Sequence, residues 1–215
     1  MSGFQQEPIF TDFEIDILEE MMNIAFGNAA ADLAETINLF IELNAPKMRI
    51  INIGGLADYI THQIKDFEEC SIVEQFYRGE IGGAAFLIFP YGVERDFISL
   101  FQDKDVASMK SDIFLELEKE ILLEVGNILI GACVGKLFEL LDGVSTFFPP
   151  RAIVGEVFNE SFILKEFDKD DYAITLQTNF RFEDRDIAGY LFLLNHQKTV
   201  GHVKKALKKY MEKYK

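Results

Sequence analysis

The sequence predicts an α+β fold in which two long helices pack on one largely antiparallel sheet. Two segments, 11–37 and 112–141, carry apolar residues at helical spacing. Four segments rich in β-branched and aromatic residues form two predicted strand pairs. These strands are 69–76 with 83–89, and 171–182 with 187–194. Because helices and paired strands alternate along the chain, we expect them to share one core.

Shorter elements complete the predicted order. We expect a strand at 47–53, helices at 56–64 and 97–101, and a terminal helix from about 198 to 214. The chain has 215 residues, of which 49% are hydrophobic and 27% are charged. This balance is that of an ordinary globular protein with a sizeable core.

The order of elements repeats, and so do particular residues. A shift of 104 places Glu20 on Glu124, Asn23 on Asn127 and Pro46 on Pro150. Self-similarity at a fixed period predicts a tandem duplication with pseudo-twofold symmetry, the repeats covering about 11–103 and 112–197. No linker-like composition separates them. We therefore expect one domain over 1–215, with a seam near 103–111 and a C-terminal helix at 198–215.

Charge and cysteine content exclude several classes of function. The formal net charge is −15, so nucleic acid and anionic membranes would repel the chain. Two cysteines, Cys70 and Cys133, make neither a disulfide framework nor a paired zinc motif. The N-terminus lacks the pattern of a signal peptide, and we find no run of about 18 apolar residues. We expect a cytoplasmic protein that does not enter membranes.

Each long helix presents a polar face. Residues at i, i+4 and i+7 of a helix lie within about 60° of one another. This spacing groups Asp16, Glu20 and Asn23 on the first helix, and Glu120, Glu124 and Asn127 on the second. The residues expected to hold the helices against the core are Ile17, Met21, Ile24, Ile121, Val125 and Ile128.

Glycines follow on the same faces. Gly27 lies one further turn along the first helix, and Gly131 occupies the equivalent place on the second. Glycine within a helix costs about 1 kcal/mol relative to alanine, so its presence in both copies needs a reason. Close approach of a partner protein and close helix packing within the domain both remain open.

A Glu and Asn pair suits phosphoryl transfer. An asparagine amide donates and accepts hydrogen bonds, so it can orient a water for in-line attack on phosphorus. The neighbouring glutamate can pair with a lysine on a partner and fix the geometry. One such face is common on surface helices, whereas two copies at fixed spacing favour a functional role.

These motifs resemble a known family. The segments DILEEMMNIAFGNAAADL and EILLEVGNILIGACVGKL, followed by Pro46 and Pro150, are similar to the CheC/CheX/FliY chemotaxis phosphatases. The family signature is Asp or Ser, three residues, Glu, two residues, Asn and, about 22 residues later, Pro. Both copies match at Glu, Asn and Pro, as in CheC, while the first position is Asp16 in one copy and Glu120 in the other. The fold implied is a CheC-like domain.

The resemblance implies a phosphatase acting on the aspartyl phosphate of the response regulator CheY. Asn23 and Asn127 would orient the attacking water, and Glu20 and Glu124 would contact the regulator's lysine. The supporting partner contacts would come from Asp16, Gly27, Glu120 and Gly131. The regulator would supply Mg²⁺, so no cofactor or metal of this chain's own is expected. The deamidase CheD is a second implied partner. Separately from the resemblance, we expect a monomer, because the internal pseudo-symmetry fills the role that a homodimer would otherwise supply.

Two other functions remain open. A non-catalytic adaptor could keep this fold and bind phosphorylated CheY or CheD without hydrolysis. A carboxylate hydrolase could use Asp16 and Glu20 as acid and base, which requires a deep pocket and a raised carboxyl pKa. The three histidines, His62, His196 and His202, are scattered and suit packing or surface roles better than metal binding.

Overall fold

A computed structural model describes residues 9–37, 40–101, 111–182 and 187–213. Most of the predicted seam near 103–111 lies outside these residues. The helices are α1 (Asp12–Ile37), α2 (Ile53–Gln63), α3 (Val93–Phe101), α4 (Ser111–Leu140), α5 (Glu160–Ile163) and α6 (Val200–Lys213). The strands are β1 (Ile41–Leu43), β2 (Lys47–Asn52), β3 (Cys70–Gly79), β4 (Gly83–Pro90), β5 (Ser145–Phe147), β6 (Arg151–Glu156), β7 (Tyr172–Phe182) and β8 (Ile187–His196).

The strands form one antiparallel sheet in the order β1-β7-β8-β4-β3-β5, with β2 also on β7 and β6 also on β3. At its centre β4 pairs with β8, and Phe86 lies directly opposite Phe192. These two phenylalanines are equivalent under a shift of 106, so the pairing obeys a local twofold through the sheet. The predicted α+β fold with two pseudo-twofold-related helices is confirmed. Duplication as the origin of this symmetry, and the single-domain boundaries, stay predictions.

The two faces of the sheet carry separate cores. On one face α1, α3, α4 and α6 bury side chains such as Met21, Phe97, Ile121 and Leu207. On the other face α2 and α5 cover a smaller cluster that includes Phe162. Both long helices therefore lie on the same side of the sheet, next to each other.

Local contacts fix the start and the position of α1. The Thr11 backbone N–H donates to Glu14 Oε2 at 2.8 Å, and the Glu14 N–H donates to Thr11 Oγ1 at 3.2 Å. This reciprocal capping box satisfies two backbone donors that a helix start leaves free. The backbone hydrogen bond from Thr11 also lowers the pKa of the Glu14 carboxyl. Further along, Glu19 Oε1 accepts from the Met48 N–H at 2.7 Å and ties α1 to β2.

Most predicted elements are confirmed, and the differences have local causes. Helix α2 begins earlier than expected because Asn52 caps it, its side chain accepting from the Gly54 N–H at 2.9 Å. Sequence patterns gave no indication of β1, β5, β6 and α5. Three of these contain only three or four residues, too few for periodicity to show.

Helix α4 is rich in apolar residues. Its segment Glu116–Leu140 is long and apolar enough to cross a membrane, judged by length and composition alone. In the fold, 56% of this apolar stretch is buried against the sheet and α1. This packing accounts for the apolar composition of the segment.

Candidate functional site

The predicted face of α1 is open to solvent. Asp16, Glu20, Asn23 and Gly27 are all exposed along one side of the helix. The buried side of α1 lies roughly 140–280° around the helix from Asp16, by the 100° turn per residue. It is formed by Leu18, Met21, Met22, Ala25, Phe26 and Ala29. The carboxylates and the amide therefore point away from the core.

One expectation for this helix is wrong. Ile24 was expected to hold α1 against the core, but its side chain is 49% exposed. The core side of α1 is formed instead by residues about 60–200° further around the helix, so Ile24 falls at the edge of the motif face. Met21 is buried as expected, and Ile17 is partly buried.

The second predicted face is also open. Glu120, Glu124 and Asn127 are exposed on α4, and Gly131 is partly exposed. On the other sides of this helix Ile121 and Val125 are buried, as expected. The structure thus brings each Glu-x-x-Asn motif together on its own helix, with the side chains available to a partner.

The two helices meet beyond their motifs. Lys136 Nζ lies 3.0 Å from Asp32 Oδ2, and these positions are equivalent under the shift of 104. Asp32 lies nine positions after Asn23, and Lys136 lies nine positions after Asn127. At a rise of about 1.5 Å per residue, each motif lies about 13 Å along its helix from the contact. Because the local twofold reverses the helix direction, the two motifs lie on opposite sides of that contact.

The glycines of the faces have no internal packing role. A Cβ added at Gly27, Gly131 or Gly135 would meet no atom of the described residues within 4 Å. Of the two explanations left open by the sequence, close packing within the domain is therefore not supported. Close approach of a partner, the other explanation for the shared cost in helix propensity, stays a prediction.

Gly126, which precedes Asn127, behaves differently. A Cβ at this position would lie 2.5 Å from Val73 Cγ1 and 2.8 Å from Val73 Cγ2. Both distances are well below the contact distance of about 3.5 Å between carbon atoms. The absent side chain lets α4 lie directly on β3, which fixes the height of the second motif above the sheet. Sequence reasoning missed Gly126 because only the tertiary contact reveals its role.

The two motif faces differ in their apolar neighbours. Phe13 and Ile24, beside Glu20 on α1, are 61% and 49% exposed. The equivalent residues of α4, Leu117 and Ile128, are partly buried and pack against the core. Periodicity did not indicate this difference, because both pairs are apolar residues at the same helical positions.

The carboxylate hydrolase is not supported by this geometry. Asp16 and Glu20 are exposed on a convex helix face rather than buried in a pocket. A cavity of about 540 Å³ elsewhere is lined by Arg78, Glu166 and His196 among others, and by no residue of either motif. Among the described residues no three His, Cys, Asp or Glu side chains are grouped to hold a metal. That the chain needs no metal of its own stays a prediction.

The fold and its two outward faces define an α+β protein that carries the same Glu-x-x-Asn constellation twice on exposed helix faces. No family model matches the chain. Over 130 residues it is 28% identical to the CheY-P phosphatase CheC of Bacillus subtilis, a match covering 59% of this chain and 59% of CheC.

Solved structures show the same fold. FliY of Thermotoga maritima superimposes with a TM-score of 0.58 at 16% identity, covering 94% of this chain and 99% of that one. The FliM middle domain of H. pylori gives a TM-score of 0.53 at 10% identity, covering 93% and 99%. The predicted resemblance to the CheC/CheX/FliY family is thereby confirmed in sequence by CheC and in fold by FliY.

Proposed function

We propose that this protein is a cytoplasmic phosphatase that dephosphorylates the aspartyl phosphate of a CheY-type response regulator. The observation that carries the proposal is the pair of Glu-x-x-Asn motifs, both exposed on long helices of a CheC-like fold. The similarity to CheC, a CheY-P phosphatase, supports the same substrate class. The match covers only part of each chain, so activity and partner are proposals.

The proposed roles follow from the chemistry of the side chains. Asn23, or Asn127 at the second face, enters the regulator's phosphorylated site and holds a water in line with the phosphorus. Its amide oxygen accepts from the water, and its NH₂ group donates to a phosphoryl oxygen or to a backbone carbonyl. Glu20 or Glu124 pairs with the regulator's lysine and sets the depth and angle of insertion. Mg²⁺ belongs to the regulator, where it neutralises charge on the phosphoryl group.

The exposed faces suit insertion into a partner. A helix whose motif points away from its own core can enter a shallow site without unfolding. Gly27 and Gly131 leave room for the partner's surface, since neither is needed for internal packing. Asp16 lies one turn before Glu20, and Glu120 lies one turn before Glu124. Each adds a second carboxylate to the acidic face that contacts the regulator's lysine.

A second candidate is a non-catalytic adaptor for phosphorylated CheY or for the deamidase CheD. The FliM middle domain has the same fold, and a fold alone does not determine activity. The retention of both Glu and Asn in each motif favours the phosphatase, because an adaptor does not need a water-positioning amide.

The test measures decay of aspartyl phosphate on a purified CheY-type regulator. We expect the wild-type protein to accelerate decay, and Asn23→Ala combined with Asn127→Ala to abolish the acceleration. Loss of an orienting group costs about 100-fold in rate. The matched control is Asn28→Ala, an exposed asparagine of α1 that lies about 140° around the helix from Asn23. This control should keep the wild-type rate.

Binding separates the two candidate functions. The double variant should still bind the regulator activated with beryllofluoride, because Glu20 and Glu124 remain. If wild-type protein binds but leaves the decay unchanged, the adaptor function replaces the phosphatase. If the double variant is as active as wild type, the assignment of the two asparagines is wrong.

A further inference from the structure

The face of α1 has an apolar border, formed by Phe13 and Ile24, that is more exposed than the equivalent described residues of α4. Phe13 and Ile24 are 61% and 49% exposed and lie about 20–40° from Glu20 around the helix. Along the helix, Phe13 lies two turns before Glu20 and Ile24 lies one turn after it. Each offers exposed apolar area that a partner docked on the motif would bury.

The equivalent positions of α4 are covered by the fold itself. Leu117 and Ile128 are partly buried and pack against the main core. Helix α3 packs directly on α4. Of the side chains that the structure describes on the two motif faces, those most exposed and apolar therefore lie beside the α1 motif.

We propose that the α1 face is the preferred docking face for the phosphorylated regulator, and that Phe13 and Ile24 determine its affinity and specificity. This inference rests on the proposed function. The partner that fits combines a phosphorylated aspartate and a lysine with an apolar side chain at the rim of that site. Glu20 meets the lysine, while Phe13 and Ile24 bury the apolar rim.

A second copy of this chain fits the face poorly. Asp16 and Glu20 are exposed on the same face as Ile24, and Asp12 is exposed at its start. Self-association about a twofold would bring these carboxylates close to their own copies, and like charges at short range oppose association. A partner carrying a cation is complementary where a second copy is repelled.

The expected effect is a loss of affinity. Burial of one large apolar side chain at an interface contributes enough that its removal weakens binding about tenfold. Ile24→Ser should therefore raise the dissociation constant of the beryllofluoride-activated regulator about tenfold, and Phe13→Ser should act in the same direction. Ile24 does not hold the water, so the loss should appear in KM and not in kcat.

The experiment uses the full chain with Glu124→Ala and Asn127→Ala, so that only the α1 motif binds the regulator and turns over substrate. Ile24→Ser is compared with Val157→Ser, whose side chain is 60% exposed between β6 and α5 and belongs to neither motif. Isothermal titration with the activated regulator gives affinity, and phosphate decay gives KM and kcat. The Ile24 variant should lose affinity while the Val157 variant matches its parent.

Several results would overturn the inference. Equal affinity of the Ile24 and Val157 variants would show that the border does not contact the regulator. A wild-type dimer converted to monomers by Ile24→Ser would assign the border to self-association instead. Failure of the proposed function would give a different result. The regulator's aspartyl phosphate would then decay at the same rate with the wild-type protein and with the Asn23→Ala, Asn127→Ala double variant, whatever residue occupies position 24.

Discussion

Gly126 allows a sharp test of how α4 is seated on the sheet. In Gly126→Ala the new Cβ would lie 2.5 Å from Val73 Cγ1, so the helix must rise by about 1 Å to restore a normal carbon contact. Val73 cannot yield, because its backbone is paired with Leu87 and Ala152 on both sides and its β-branched side chain is stiff. Overpacking of this kind costs about 1–3 kcal/mol.

A matched control removes the effect of helix propensity. Gly131→Ala lies on the same helix, and its Cβ would meet no described atom within 4 Å. Both substitutions gain about 1 kcal/mol from replacing a helical glycine. The difference between their free energies of unfolding, measured in urea, is then the overpacking cost alone, and we expect Gly126→Ala to be less stable by about 1–3 kcal/mol.

A second substitution locates the clash. Val73→Ala should restore much of the stability lost in Gly126→Ala, with a coupling energy of at least about 1 kcal/mol in the double-mutant cycle. In an Asn23→Ala background only Asn127 positions the water. Gly126→Ala should then also lower the decay rate of the regulator's aspartyl phosphate, since displacement of a positioning group by about 1 Å can cost about 100-fold in rate. The reasoning is refuted if the two alanine variants unfold within about 0.5 kcal/mol of each other, the usual limit of additivity.

Two further predictions concern buried polar groups. Burial and the nearby Glu118 carboxyl raise the pKa of Glu94 above its ordinary 4.5, so stability is full below that pH and falls as pH rises through the raised value. Glu94→Gln should therefore be more stable than wild type at pH 7, with the difference vanishing below pH 4.5 in urea titrations at several pH values. The buried Tyr77 hydroxyl donates to Asn195 Oδ1 at 2.9 Å, and Tyr77→Phe should cost about 1–3 kcal/mol in thermal unfolding. A stability unchanged from wild type would contradict either prediction.

Sequence patterns predicted the long elements well, because periodicity needs several turns or residues to show. Helix α1 was expected at 11–37 and is Asp12–Ile37, and α4 was expected at 112–141 and is Ser111–Leu140. The central strand pairs were also indicated, since hydrophobic runs bounded by turns identify them. The three-residue strands β1 and β5 could not be predicted, as their pairing is set by β7 and β3.

The candidate site was predictable in its residues but not in its surroundings. Helical arithmetic grouped Glu20 with Asn23 and Glu124 with Asn127, and all four are exposed. The burial of individual apolar residues depends on which neighbours cover them, so the exposure of Ile24 escaped the pattern. Short-range sequence spacing therefore identifies a face, whereas tertiary packing decides what borders it.

The ion pair between Asp32 and Lys136 bears on how the two halves recognise each other. At a twofold axis between identical copies, a residue meets itself, and two aspartates or two lysines there would repel. Only halves of different sequence can place opposite charges at equivalent positions, as here. The pair thus disfavours the pairing of two identical halves, which would match like with like, and it favours the pairing of a first half with a second half.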